Sequence, residues 1–389
     1  MNTAIKLINL YIFFYCVFLK GVLHMNILCD KSKLIEGVNI ILKAISGKST
    51  MPILECIVID VKENQIHLIA NNLELGIETI IDGAIKEEGS VAVNAKFFFE
   101  IIRKLPSDEV SIAVDENYMM DIHCGKAKFN IAANSAEEFP FLPKIMKDNS
   151  IQISQFTLRE IIQQTAFSIS DNDNTKVMTG ELFEIKGNML QVVSLDGHRI
   201  SIRKTELKEN YDDIRVIIPG KTVIEISKIL NGGRDDMVTI FFTDKHVLFE
   251  FDQTVVLSRL IEGEFFRIEK MLSTDYETKL TVNKKEMLDC IDRTTLLIRE
   301  SDKKPVIVNI ADDKMGFHME SAVGTMNEEI SAEKEGKDIM IGFNPKFLID
   351  ALRVIEDENI TIYMINPKAP CFIRNKEETY TYLILPVNF

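Results

Sequence analysis

The sequence predicts an α+β protein built from three copies of one domain, each with two helices packed on antiparallel sheets. Three observations carry that prediction. A helical segment recurs every 125 residues, so that 94–105, 219–230 and 344–355 align in register. A further amphipathic helix opens each copy. Short alternating runs lie between the two, as half-buried strands do. A period of 125 residues is a domain, whereas solenoid repeats run to about 20–50 residues. Helices on one face of antiparallel sheets define the α+β class.

Taken in order, residues 25–29 read as a strand and 31–45 as a helix with Leu34, Val38, Ile41, Leu42 and Ile45 on one face. The run 66–72 has its counterpart at 190–196, 124 residues on. In the repeated helix Lys96, Lys221 and Lys346 coincide, as do Glu100, Glu225 and Asp350, and Arg103, Lys228 and Arg353. The runs starting at Val110, Val238 and Ile360 each follow that helix, and 128–131 and 247–251 alternate as strands. Glu138-Phe139-Pro140 pairs with Glu264-Phe265-Phe266, 126 residues apart. Residues 156–168 open the second copy with Leu158, Ile161, Ile162 and Thr165 on one face. Residues 283–299 open the third with Leu288, Ile291, Thr295 and Leu296. The domains are expected at 25–146, 151–273 and 276–389.

The first 24 residues stand outside the repeat. Residues 7–19 are almost wholly apolar between Lys6 and Lys20. That is short of the roughly 20 residues a membrane span needs, and no small-residue cleavage site follows. An upstream-extended start with Met25 as the natural first residue is the expectation, and export the alternative. With 389 residues, 46% of them hydrophobic, three cores can be filled. The six cysteines show neither paired spacing nor a Cys-x-x-Cys motif, which suits reduced thiols in the cytoplasm.

A net charge of −14 argues by itself against nucleic acid. Its distribution argues otherwise. The six helix windows hold fifteen Lys and Arg against eight Asp and Glu, a net of +7, and the remainder carries −21. Solvated polar faces would account for any one helix. A basic pair repeated in register three times is harder to explain that way.

Chemistry is sparse. There is no phosphate-binding glycine loop, no His-Glu-x-x-His and no Gly-x-Ser-x-Gly. No histidines fall at metal-ligand spacing, so neither metal nor cofactor is expected. The most site-like cluster is Asp196-Gly197-His198-Arg199. It could suggest acid–base work, but neighbours on a strand face opposite ways, and a turn through Asp-Gly is the simpler account.

From Met25 to Phe389 the chain resembles the bacterial DNA polymerase III beta subunit family, the sliding clamps. The resemblance rests on Thr50-Met51-Pro52-Ile53-Leu54, Lys96-Phe97-Phe98, residues 134–140, Asp196-Gly197-His198-Arg199, Ile341-Gly342-Phe343-Asn344 and Leu385-Pro386-Val387-Asn388-Phe389. It implies a non-catalytic protein, half of a six-domain ring formed by a head-to-tail homodimer, whose helices line a hole threaded by duplex DNA. Lys and Arg there would hold phosphates without reading bases. The DNA-facing residues implied are Lys48, Lys96, Arg103, Lys104, Asn172, Lys221, Lys228, Lys346 and Arg353. A hydrophobic cleft between the second and third domains is implied for the replicative polymerase alpha-type subunit, the clamp loader and other proteins bearing a clamp-binding motif. Its residues would be Met178, Gly197, His198, Arg199, Ile200, Phe266, Lys270, Met271, Asn344, Phe347, Pro370, Leu383, Leu385, Pro386 and Val387. Many relatives carry Pro where Phe266 stands, and the terminal Val387-Asn388-Phe389 also departs from the usual pattern. The subunit interface implied joins Phe129 and Ile131 of one chain to Leu296 and Leu297 of the other.

Overall fold

The computed structural model describes residues 25–45, 51–106, 108–298 and 304–389. The leader, Lys48 and Thr50 lie outside the described residues. The chain forms two compact units. One runs to Asn149 and includes Thr239–Arg259; the other comprises Ser150–Val238 and Leu260–Phe389.

Among the described residues the α-helices are α1 (Lys31–Ile41), α2 (Ala95–Arg103), α3 (Gln155–Thr165), α4 (Gly220–Ile229), α5 (Lys284–Thr295) and α6 (Pro345–Val354). Their starts are fixed by side-chain oxygens that accept first-turn N–H groups: Asp30, Asn94, Ser154, Asn283 and Asn344. The exception is α4, where Pro219 stands in the cap position and offers no acceptor. The first helix of each copy is shorter than its apolar spacing predicts. α1 and α3 tighten into 3-10 turns at Leu42–Ala44 and Ala166–Ser168. In α5 the buried stripe is Met287, Cys290, Ile291 and Thr294, not the one read from the sequence. Leu288 is half-buried, and Leu296 lies beyond the helix end and is 80% exposed.

Within each copy the two helices pack side by side, and one cation ties them. Lys31 Nζ donates to the Leu105 carbonyl at 2.6 Å, Arg159 Nη1 to Leu230 at 3.0 Å and Lys284 Nζ to Ile355 at 2.6 Å. Those carbonyls recur every 125 residues at helix C-terminal ends, where backbone oxygens lack intrahelical partners and the dipole favours positive charge. Close approach of α1 to its sheet depends on Gly37. A Cβ there would lie 2.7 Å from Ile81 Cγ2 and 2.8 Å from Leu68 Cδ1.

Beneath the helices the sheets are antiparallel throughout. In the first unit, Gly83–Glu87, Met25–Asp30, Glu109–Val114, Met119–Cys124 and Ala127–Ala132 form one sheet in that order. Another carries Gly89–Asn94, Cys56–Lys62, Gln65–Asn71, Leu75–Ile81, Thr254–Arg259 and His246–Phe251 side by side. In the second unit a ten-stranded sheet runs through Gly180–Leu195, Arg199–Pro219, Tyr380–Ile384 and Cys371–Arg374 into the strands of the third copy. Sheets therefore cross from one copy to the next. The central strand pair is Arg199–Arg203 against Tyr380–Ile384, with Ile200 opposite Leu383. The apolar cluster around it takes residues from two copies, including Leu195, Ile200, Phe265, Ile268, Phe372 and Leu383.

Candidate functional sites

The first candidate site is the solvent side of the helices. Their buried faces leave Lys96, Arg103 and Lys104 on or just after α2 exposed, Lys221 and Lys228 on α4, and Lys346 and Arg353 on α6. Among the described residues Lys96, Lys221 and Lys346 pair with no carboxylate. The second cation of each helix is tethered instead. Arg103 lies 2.8 Å from Glu100, Lys228 2.8 Å from Glu225 and Arg353 3.4 Å from Asp292 of α5. Lys104 sits at 3.9 Å from Glu100. Exposed pairs of this kind hold their charges weakly, each worth about 0.2–1 kcal/mol, so a phosphate can displace the carboxylate. Asn172 is exposed and caps its own loop by accepting the Asn174 N–H at 3.0 Å.

The second candidate site is built around Arg199. Asp196 makes the turn before it. Its Oδ1 accepts the backbone N–H groups of His198 (2.9 Å) and Arg199 (3.1 Å), and Gly197 supplies a φ of +89°. Arg199, its side chain only 8% exposed, donates from Nε to Asp196 at 2.9 Å, from Nη1 to Asp350 at 2.7 Å and from Nη2 to the Phe167 carbonyl. Its guanidinium lies over Phe347 (4.5 Å to the ring centre) and Phe167 (5.3 Å). His198, exposed, meets Phe347 edge to face at 6.1 Å. The Leu385 N–H donates to the His198 carbonyl and the Val387 N–H to Gly342, both at 2.9 Å, which fixes the C-terminal segment beside the turn.

The sequence-predicted cleft residues fall into two layers. Met178, Phe347, Pro370 and Pro386 are half-buried, and Gly197, His198, Phe266, Lys270, Met271, Leu385 and Val387 are exposed. Arg199, Ile200 and Leu383 are buried beneath them. Ile200 and Leu383 belong to the apolar cluster against which Met178 packs, so they support the surface from below. Asn344 spends its side chain capping α6. Sequence reasoning missed Phe167 and Asp350, the two partners that hold Arg199 from distant elements. It also missed Phe389, whose ring would lie 2.7 Å from a Cβ at Gly342. The helical register set Asp350 level with Glu100 and Glu225 and gave no sign that it reaches Arg199.

Of the residues the resemblance implies for a subunit interface, Phe129 is exposed on the edge strand Ala127–Ala132, and Ile131 on the same strand is buried. Leu297 packs against the core of the third copy, beside the exposed Leu296.

The Asp196 carboxylate is engaged by two backbone N–H groups and Arg199, so the turn explains the cluster that suggested acid–base work. Among the described residues no three His, Cys, Asp or Glu side chains gather to hold a metal, and no helix is long and apolar enough to cross a membrane.

Three structural repeats with cations in register and an aromatic-lined arginine between two of them define a binding architecture. Comparison with known proteins gives it a family. Residues 25–143, 152–266 and 269–388 match, in turn, the N-terminal, central and C-terminal domains of the DNA polymerase III beta subunit. The beta sliding clamp of Staphylococcus aureus is 33% identical over 374 residues, covering 93% of this chain and 99% of the relative. The sliding clamp of Bacillus subtilis superposes with a TM-score of 0.91 at 34% identity, covering 94% of this chain and 100% of that one. A Eubacterium rectale structure assigned as a DNA polymerase III beta subunit is 58% identical with the same TM-score, covering 94% and 99%. The chain belongs to the bacterial DNA polymerase III beta subunit family. It is a DNA sliding clamp, a non-catalytic processivity factor.

Proposed function

We propose that two copies join head to tail into a closed ring of six domains, of which residues 25–146, 151–273 and 276–389 supply three, and that the ring encircles duplex DNA in the cytoplasm. One observation carries this reading. The strand pairs that join successive copies, Leu75–Ile81 with Thr254–Arg259 and Arg199–Arg203 with Tyr380–Ile384, have a third counterpart in two open edges. Among the described residues, Ala127–Ala132 is paired only on its Met119–Cys124 side. The segment 324–331 is likewise paired only with Lys314–Ser321. An open edge is a template for another strand. Pairing the two edges between copies is heterologous, and such a contact closes into a ring when the rotation allows. Phe129, Ile131, Leu296 and Leu297 would border that contact.

In this ring Lys96, Lys221 and Lys346 hold phosphates, with Arg103, Lys104, Lys228, Arg353, Asn172 and the undescribed Lys48 in support. Such contacts are sequence-blind and weak enough to slide. The groove over Phe266, Met271, Leu385 and Val387, floored by Ile200 and Leu383, takes an apolar peptide of the polymerase, the clamp loader or another partner. Met178 and Met271 let it repack for several.

Retention on DNA tests the ring. Loaded by its own clamp loader onto nicked circular duplex, the protein is expected to survive a high-salt wash and to leave once the circle is linearised. Loss in the wash would overturn the closed ring, since salt steeply weakens ordinary phosphate binding. Changing Lys96, Lys221 and Lys346 together to Glu is expected to impair loading and to leave the dimer intact in sedimentation.

A further inference from the structure

The first unit holds a cavity that the sliding-clamp function leaves unused. Its volume is about 250 Å³, and its walls include Leu73, Glu74, Leu142, His246, Leu257 and Arg259. The repeat shows what it corresponds to. The Arg259 N–H donates to the Glu74 carbonyl at 2.9 Å, as the Leu385 N–H does to His198 at 2.9 Å. Leu257 stands opposite Gly76 as Leu383 stands opposite Ile200. The cavity is therefore the counterpart, one copy earlier, of the groove around Phe266 and Leu385.

Its chemistry differs at three of the four matched positions, Leu257 and Leu383 being alike. Arg259 takes the place of Leu385, Glu74 that of His198, and Gly76 that of Ile200. The space that Ile200 fills in the groove is filled here by Leu142, from the chain leaving the first copy. A Cβ at Gly76 would lie 1.9 Å from Leu142 Cδ2. The floor stays aliphatic, and the rim gains a guanidinium that pairs with no carboxylate among the described residues. His246 stands opposite Arg259 on the neighbouring strand. Burial, with the charges of Arg259 and Lys245, holds its imidazole below the usual histidine range, so it is neutral at pH 7 and leaves Arg259 as the anion-binding group.

We propose that this cavity is a second ligand site, and that it takes a short peptide segment presenting an aliphatic side chain beside a carboxylate. The aliphatic chain rests on Leu142 and Leu257, and the carboxylate meets the Arg259 fork. Glu74 is left to accept a backbone N–H of the same segment. This stands on the cavity and its place in the repeat, and does not depend on what occupies the groove.

The test titrates the full chain with N-acetyl-Leu-Asp-amide and with N-acetyl-Leu-Asn-amide, followed by ligand-observed NMR. Saturable binding of the Asp probe is expected, with the Asn probe at least about fivefold weaker. Arg259→Gln, at an exposed position, is expected to weaken the Asp probe about tenfold. His198→Ala, which strikes the groove, is expected to leave it unchanged. Equal affinity for the two probes, an unaffected Arg259→Gln variant, or no saturable binding at all would each overturn the proposal. Loss of binding in His198→Ala with Arg259→Gln unaffected would place the probe in the groove and also overturn it.

Discussion

Glu225 and Asp350 occupy one position of the repeat and do different work. Glu225 stays on its own helix and pairs with Lys228 at 2.8 Å, as Glu100 does with Arg103. Asp350 leaves its helix surface to meet Arg199 at 2.7 Å, 151 residues away in sequence. The vacated role is filled from α5, where Asp292 approaches Arg353. All three helices therefore present one free cation and one tethered cation, by two different routes. Equal register gives equal backbone placement, but the role of a side chain is set by what the fold brings opposite it.

The largest effect is expected where the two positions differ most. Asp350→Ala leaves Arg199 buried with one of its two carboxylates, and breaking a buried pair costs about 3 kcal/mol. Glu225→Ala and Glu100→Ala break exposed pairs and are expected to cost no more than about 0.5 kcal/mol. Urea unfolding of the three variants side by side measures this. Equal losses in all three would mean that Asp350 is only another surface carboxylate.

Glu181 sharpens the same comparison from inside the fold. It stands opposite Ile218, as Ile57 stands opposite Val93 and Val306 opposite Phe343. Two copies place an aliphatic residue there and the middle copy a fully buried carboxyl. Burial pushes its pKa up to about 8, against a hydrogen bond from Thr165 Oγ1 that pulls the other way, and its second oxygen has no partner among the described residues. The folded chain then keeps a proton that the unfolded chain releases near 4.5. Stability attributable to this group therefore falls as pH rises through that window and reaches its lowest level above about 8. Glu181→Gln is expected to remove that fall, raising stability at pH 9 and leaving it almost unchanged at pH 4.5. Thermal melts across the range decide it: parallel curves for the two proteins would show that the carboxyl is solvated in the folded state.

How much of this was legible in the sequence follows the same division. The repeated helices and the cations at Lys96, Lys221 and Lys346 are local features, written within one or two turns of chain. The stripe of α5 was misphased because Leu288 and Leu296 outweigh Cys290 and Thr294 in any apolar count, although the latter are the buried pair. Strand pairing between copies was invisible. Tyr380–Ile384 is a strand, but which strand it joins depends on residues nearly two hundred positions away. Arg199 was singled out from its neighbours Asp196 and His198, and its distant partners Phe167 and Asp350 were not. The cavity at Arg259 became readable only once the hydrogen bonds at Glu74 and His198 could be laid over each other.

The smallest effect concerns the tethers themselves. If Glu100, Glu225 and Asp292 each neutralise a cation on a helix proposed to face DNA, removing them frees Arg103, Lys228 and Arg353 for phosphate. Glu100→Gln with Glu225→Gln is expected to leave stability within about 0.5 kcal/mol of wild type. The salt dependence of unloaded DNA binding is expected to steepen by roughly one ion for each carboxylate removed. Asp292→Asn should add the same increment, and Asp350→Asn should add none, because its carboxylate faces Arg199. Titrations of linear duplex at several salt concentrations resolve these slopes. An increment from Asp350→Asn equal to that from Asp292→Asn would mean that the third helix is tethered like the other two and that the two routes are one.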